Sequence, residues 1–160
     1  MTRRRWFEIG LCLMALGISH VVSAQELRRF TAGSYDRIVQ AHAGKPFVLA
    51  VWSLTCEPCR EELELFSGFL QKNPQFELVL IATDTPADEP ALRAALARHR
   101  IARAEIWVFA DAFQEKLRFE IDRRWYGELP RTYFFNAAGV RQGVSGKLDA
   151  GRIDAWFAAK

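Results

Sequence analysis

Two cysteines separated by two residues, Cys56 and Cys59, follow an unbroken apolar run, Phe47–Trp52, in the stretch FVLAVWSLTCEPCREEL. This juxtaposition limits the fold more than any other feature of the chain. A run that is apolar at every position is expected of a strand buried on both faces of a sheet. From Cys56 to about Lys72 the pattern becomes helical, with Leu63, Phe66 and Leu70 on one side. The pair therefore sits where a buried strand gives way to a helix. Three uses of it stand open: a redox couple, part of a metal site, or a structural bridge. As a bridge it is badly placed, because so short a loop is worth only about 2 kcal/mol of chain entropy, against about 4–5 kcal/mol for a loop near 100 residues. At a helix N-terminus, free N–H groups and the positive end of the dipole favour a thiolate, which is the reactive form. Cys59 comes one turn later on the same side, and Pro58 falls in the first turn, where its missing N–H costs little.

The N-terminus reads as an export signal. Arg3, Arg4 and Arg5 precede the apolar stretch Ile9–Ile18, and Val22 and Ala24 occupy the −3 and −1 positions of a cleavage site before Gln25. Residues 1–24 are expected to be removed, leaving one domain over residues 25–160 in a periplasmic or otherwise exported location. An uncleaved membrane anchor is the alternative. Cleavage takes Cys12 with it, so Cys56 and Cys59 become the only cysteines. It also lowers Lys plus Arg from 22 to 19 and Asp plus Glu from 19 to 18, for a net charge near +1. No basic stripe with interleaved aromatics points to nucleic acid.

Strands and helices alternate along the rest of the chain. The sequence LRRFTA suggests an edge strand, and Ser34 suggests a cap for a helix from Tyr35 to about His42. Leu78–Ala82 and Ile106–Ala110 read as further buried strands. Helices are expected from about Pro90 to Arg100 and from Phe113 to about Phe119. Thr132–Phe135 and Val140–Val144 flank NAAG, a hairpin turn with Gly139 in the left-handed conformation. A last helix is expected over Asp149–Ala158. The alternation predicts an α/β fold with a mostly parallel central sheet closed by an antiparallel hairpin.

The segments GKPFVLAVWSLTCEPCREEL and ELPRTYFFNAAG, with the closing helix, resemble the exported TlpA/ResA-like thiol–disulfide oxidoreductases of the thioredoxin fold. The resemblance runs from about Tyr35 to the end. It implies a mixed sheet flanked by helices, with an extra strand–helix insert between the active-site helix and a cis-proline loop. By position, Cys56 matches the nucleophilic cysteine, Cys59 the resolving cysteine and Pro130 the cis-proline. Trp52 matches a tryptophan packed beside the site, and Leu129 would offer its backbone to a client strand. Thr55, Glu57 and Pro58 are expected to complete the client-facing surface. Thr55 stands where most relatives have an aromatic residue, and its hydroxyl is a candidate helix cap. Ala50 stands where thioredoxin carries a buried aspartate. Glu62 is the candidate proton acceptor for Cys59, and it reads equally as a helix-dipole acid alongside Glu57 and Glu61.

The resemblance further implies disulfide-bearing clients, among them apocytochrome c or copper-centre assembly proteins. It implies a membrane electron donor of the DsbD or CcdA type, and no cofactor beyond the redox-active cysteine pair. A Cu(I)-handling chaperone is the alternative. Zinc would need four ligands, and only His42 and His99 join the two cysteines, on unrelated segments. His99 reads as a surface residue. Trp125 and Tyr126 read as core cover or as groove lining, and Arg123, Arg124 and Arg131 as solvated charge.

Overall fold

The computed structural model describes residues 25–159. The expected signal segment, residues 1–24, lies outside the described residues. Six strands form one sheet: β1 (Leu27–Phe30), β2 (Phe47–Trp52), β3 (Leu78–Ala82), β4 (Glu105–Phe109), β5 (Arg131–Phe135) and β6 (Arg141–Ser145). Their order is β1-β4-β3-β2-β5-β6. The first four positions are parallel, β5 pairs antiparallel with β2, and β6 closes the sheet antiparallel to β5.

All six residues of β2 are buried. Its side chains alternate between two cores, as the strand period of two requires. Val48, Ala50 and Trp52 face a core that includes Leu63, Phe66 and Leu70 of α2 (Glu57–Lys72), Leu92 and Leu96 of α3 (Glu89–Arg98) and Ile153 of α5 (Ala150–Ala158). Phe47, Leu49 and Val51 face the opposite core, with Ile38 of α1 (Ser34–Ala41), Leu117 and Ile121 of α4 (Gln114–Ile121), and Trp125. Burying a large aliphatic or aromatic side chain contributes about 1.5–3 kcal/mol, so this central strand organises both layers. Two strand–helix units, β3 with α3 and β4 with α4, separate α2 from Pro130. The expected extra strand–helix unit is therefore present, and it widens the parallel part of the sheet.

Most element ends fall within a residue or two of expectation. Ser34 differs in kind. It is the first helical residue of α1, and Gly33, in the left-handed conformation at φ 75°, occupies the cap. The Ser34 hydroxyl is buried and accepts from the Thr31 N–H at 2.9 Å and from Arg37 Nη2 at 2.7 Å. His99 is a second correction: only 10% of its side chain is exposed, and its Nδ1 lies 3.7 Å from Glu64. Leu96, three residues earlier, is buried, so this side of α3 faces inward. The hairpin turn forms as read, with Gly139 at φ 76° donating to Asn136 O at 2.9 Å.

Candidate active site at the cysteine pair

β2 ends at Trp52, and three residues carry the chain to Cys56, the N-cap of α2. The Cys56 sulfur occupies the place of a capping oxygen and accepts the Cys59 N–H at 3.2 Å. The cysteines form a disulfide with their Cα atoms 5.3 Å apart. Cys56 is half-buried, whereas Cys59 is only 1% exposed and belongs to the core. An incoming sulfur can thus reach Cys56, and Cys59 lies behind it.

Thr55 does not cap the helix. The helix begins one residue too late for that, so the Cys56 sulfur takes the seat and the Thr55 hydroxyl lies 3.1 Å from that of Ser53. Thr55, Glu57 and Pro58 are exposed around the pair, while Trp52 is buried beneath it in the same core as Cys59.

The turn before the motif is held from β3. Thr83 N–H donates to Trp52 O at 2.9 Å, and the Asp84 carboxylate accepts the Leu54 N–H at 3.1 and 3.2 Å. Arg60 Nη1 donates to Leu54 O at 3.0 Å and holds the next peptide, Leu54–Thr55. Burial pushes the Asp84 carboxyl above its ordinary range, against the lowering effect of the Leu54 N–H. No motif in the sequence marks Asp84. The one signal was its place directly after a buried strand, since loops at the carboxyl ends of parallel strands gather at one end of such a sheet.

The Leu129–Pro130 peptide is cis. Val51 pairs with Arg131, so the antiparallel register sets Pro130 level with Trp52. Leu129 is half-buried and packs with Cys56 against the core that holds Cys59 and Trp52. Pro130 O accepts the Gly146 N–H at 2.9 Å. The two segments farthest apart in the motif are thereby brought to one end of the sheet.

Glu62 occupies the buried side of α2, 3% exposed, and accepts the Leu148 N–H at 2.6 Å. Burial pushes its carboxyl up to about 7, against the lowering effects of the Leu148 N–H and the nearby Lys147. Glu57 and Glu61 are exposed, and Glu61 pairs with Lys147. A solvated dipole acid describes those two and not Glu62. Ala50 shares the Cys59 side of the sheet, so the buried acid comes from the helix and not from the strand.

The neighbouring aromatic and basic residues divide. Trp125 is buried, 4% exposed, and its Nε1 donates to Glu128 O at 2.8 Å, so it covers core. Tyr126 is 93% exposed. Arg123 and Arg124 are exposed, but Arg131 is not solvated charge: it pairs with Asp122 at 2.9 Å. Among the described residues, no group of three or more His, Cys, Asp or Glu side chains is arranged to hold a metal ion.

No protein-family model and no curated protein matches the chain. Solved structures do. A secreted Mycobacterium tuberculosis disulfide oxidoreductase homologous to E. coli DsbE superposes with a TM-score of 0.59 at 23% identity, over 76% of this chain and 86% of that one. StoA from Bacillus subtilis gives 0.53 at 17%, over 72% and 84%. A DsbF homologue from Corynebacterium diphtheriae gives 0.54 at 15%, over 76% of each. At these identities the likeness establishes the architecture, a thioredoxin-like fold of the kind found in thiol–disulfide oxidoreductases. In this chain that fold carries a Cys-X-X-Cys disulfide at the junction of β2 and α2.

Proposed function

We propose that the protein is an exported thiol–disulfide oxidoreductase that reduces disulfides in client proteins. The observation that carries this reading is the half-buried Cys56 sulfur at a helix N-cap, backed by buried Cys59 and packed, like Leu129 of the Leu129–Pro130 bend, against one core. In the dithiol form, the Cys56 thiolate attacks one sulfur of a client disulfide. A mixed disulfide forms and the other client sulfur leaves as a thiolate. Cys59, losing its proton, then attacks Cys56 Sγ. The second client sulfur departs as a thiolate, and the Cys56–Cys59 dithiol, having given two electrons to the client, is left as a disulfide. Glu62 is the acceptor for the Cys59 proton: it lies one helical turn beyond Cys59, and a carboxyl near 7 exchanges protons readily at neutral pH.

Regeneration requires a dithiol donor. A membrane donor of the DsbD or CcdA type fits this need, as clients such as apocytochrome c or copper-centre assembly proteins fit the reducing direction. No cofactor enters the cycle. Glu57, exposed beside Cys56, places negative charge where it opposes an extremely acidic thiol. The couple therefore belongs nearer thioredoxin, at about −270 mV, than DsbA, at about −120 mV.

The test is a pair of serine variants with a redox titration. Cys56→Ser should abolish client reduction, and Cys59→Ser should accumulate a covalent client adduct that dithiothreitol releases. Retained turnover in Cys56→Ser, or tight one-to-one Cu(I) binding without any turnover, would overturn the reading.

A further inference from the structure

The Leu129–Pro130 bend is the end of a loop whose two ends are bound to each other. Asp122 follows α4 directly, and Arg131 follows Pro130 directly. Asp122 Oδ2 accepts from Arg131 Nη2 at 2.9 Å and from the Tyr133 hydroxyl at 3.2 Å, while Oδ1 accepts the Arg124 N–H at 3.0 Å. Arg131 also donates from Nε to the Tyr133 hydroxyl at 3.0 Å and from Nη1 to Ser145 Oγ at 2.6 Å. Ser145 Oγ donates to Glu128 Oε1 at 2.7 Å, and Glu128 Oε2 accepts the Tyr126 N–H at 3.2 Å. The loop is thus closed at its base and braced within.

This base is taken out of water. Only 8% of the Asp122 side chain and 14% of the Arg131 side chain is exposed. A second observation shows that the neighbouring strand is shaped to admit it. Gly143 of β6 pairs with Tyr133, and a Cβ there would lie 2.7 Å from Arg131 Nη2 and 3.0 Å from a Tyr133 ring carbon. A side chain at this position would have to push the Arg131 guanidinium out of its present seat. A buried ion pair is weak as a source of net stability, and its better-attested use is to fix one geometry among several. The geometry fixed here is that of the peptide next to Pro130, the segment set level with Trp52, the last strand residue before the cysteine turn.

We propose that Asp122 and Arg131, with Gly143 leaving them room, form a clasp that holds the Leu129–Pro130 bend where an extended client segment pairs with it. They are positioning residues for polypeptide clients and take no part in the thiol exchange. The proposal rests on the oxidoreductase reading. It separates two substrate classes: a disulfide within a polypeptide uses the bend, whereas a small aromatic disulfide needs only the Cys56 sulfur.

The experiment uses the pre-reduced protein in single turnovers against a disulfide-linked peptide and against 5,5′-dithiobis(2-nitrobenzoate). Asp122→Asn and Arg131→Lys should each raise the half-saturating peptide concentration about tenfold. The limiting rate and the small-disulfide rate should stay within about twofold. The double variant should be no worse than either single one, because the two side chains act as a unit. Gly143→Ala should shift the peptide value in the same direction without altering any charge. An unchanged peptide value, or an equal loss on both substrates, would overturn the clasp, the latter being the mark of a purely structural role. A wild-type protein that reduces neither substrate would instead refute the oxidoreductase reading. The clasp would then be judged by amide hydrogen exchange over residues 127–131. Faster exchange in Arg131→Lys sustains it, and an unchanged rate overturns it.

Discussion

Glu62 combines two effects that a single substitution can separate. Its carboxyl is held near 7 chiefly by burial, so the folded state keeps a proton that the unfolded chain releases near 4.3. This contribution is fully present below pH 4.3 and fades as pH rises through 7. Above pH 7 the fold carries an ionised, nearly buried carboxylate. Glu62→Gln keeps an acceptor for the Leu148 N–H and removes that charge. It should raise stability at pH 8 by about 1–3 kcal/mol, read from urea unfolding of the oxidised protein, with a much smaller gain at pH 4. The same change should slow resolution of the mixed disulfide about 10–100-fold at neutral pH, measured as release of the second client thiol. Equal stability gains at both pH values would contradict the buried-charge account. Asp84 offers a contrasting case. Asp84→Ala leaves the half-buried Leu54 N–H without its carboxylate and should lower stability by about 1–3 kcal/mol. Asp84→Asn should restore most of that in a thermal melt, because an amide oxygen still accepts.

At the scale of elements, the junction of β2 with α2 does the work. The strand buries both faces, so its end cannot shift, and the helix starts where the first sulfur can cap it. Exposed Glu57 then tunes the couple from the helix's first turn. Glu57→Lys should stabilise the Cys56 thiolate and make the couple about 10–20 mV more oxidising, as read by equilibration with glutathione. A shift toward more reducing values would show that the helix-terminus field does not govern this sulfur. The junction was largely legible before any coordinates: an apolar run, a Cys-X-X-Cys and a helical stripe at Leu63, Phe66 and Leu70 are all local patterns. The exact seat of the cap was not. Thr55 carries a good capping group, but the helix starts after Cys56, and only the folded backbone decides between neighbouring candidates.

Across the whole molecule, two buried acids of opposite character bracket the stable pH range. Burial alone would raise Asp122, yet the Arg124 N–H, Arg131, Arg141 and Tyr133 outweigh it and hold the carboxyl below its usual range. Its contribution is present above about pH 3.9 and is lost as pH falls through its lower folded value. Glu62 acts at the other end, where stability falls as pH rises toward 7. The two together predict a stability maximum at about pH 4, between the acid loss from Asp122 and the decline from Glu62 that sets in above about pH 4.3, to be checked by urea midpoints across the range. Asp122→Asn should flatten the acid limb and Glu62→Gln the neutral limb. By itself, the sequence determined the alternation of strands and helices, the central place of Phe47–Trp52 and the Cys56–Cys59 pair at a helix start, because each is written in adjacent residues or in a short period; the Leu129–Pro130 bend came only from the family resemblance. Tertiary structure alone decided that Glu62 is buried against Leu148, that Asp84 holds Leu54, and that Asp122 meets Arg131 beside Gly143. Each of these depends on which distant segments pack together, and the charge state and reach of a carboxylate follow from the neighbours it finds there.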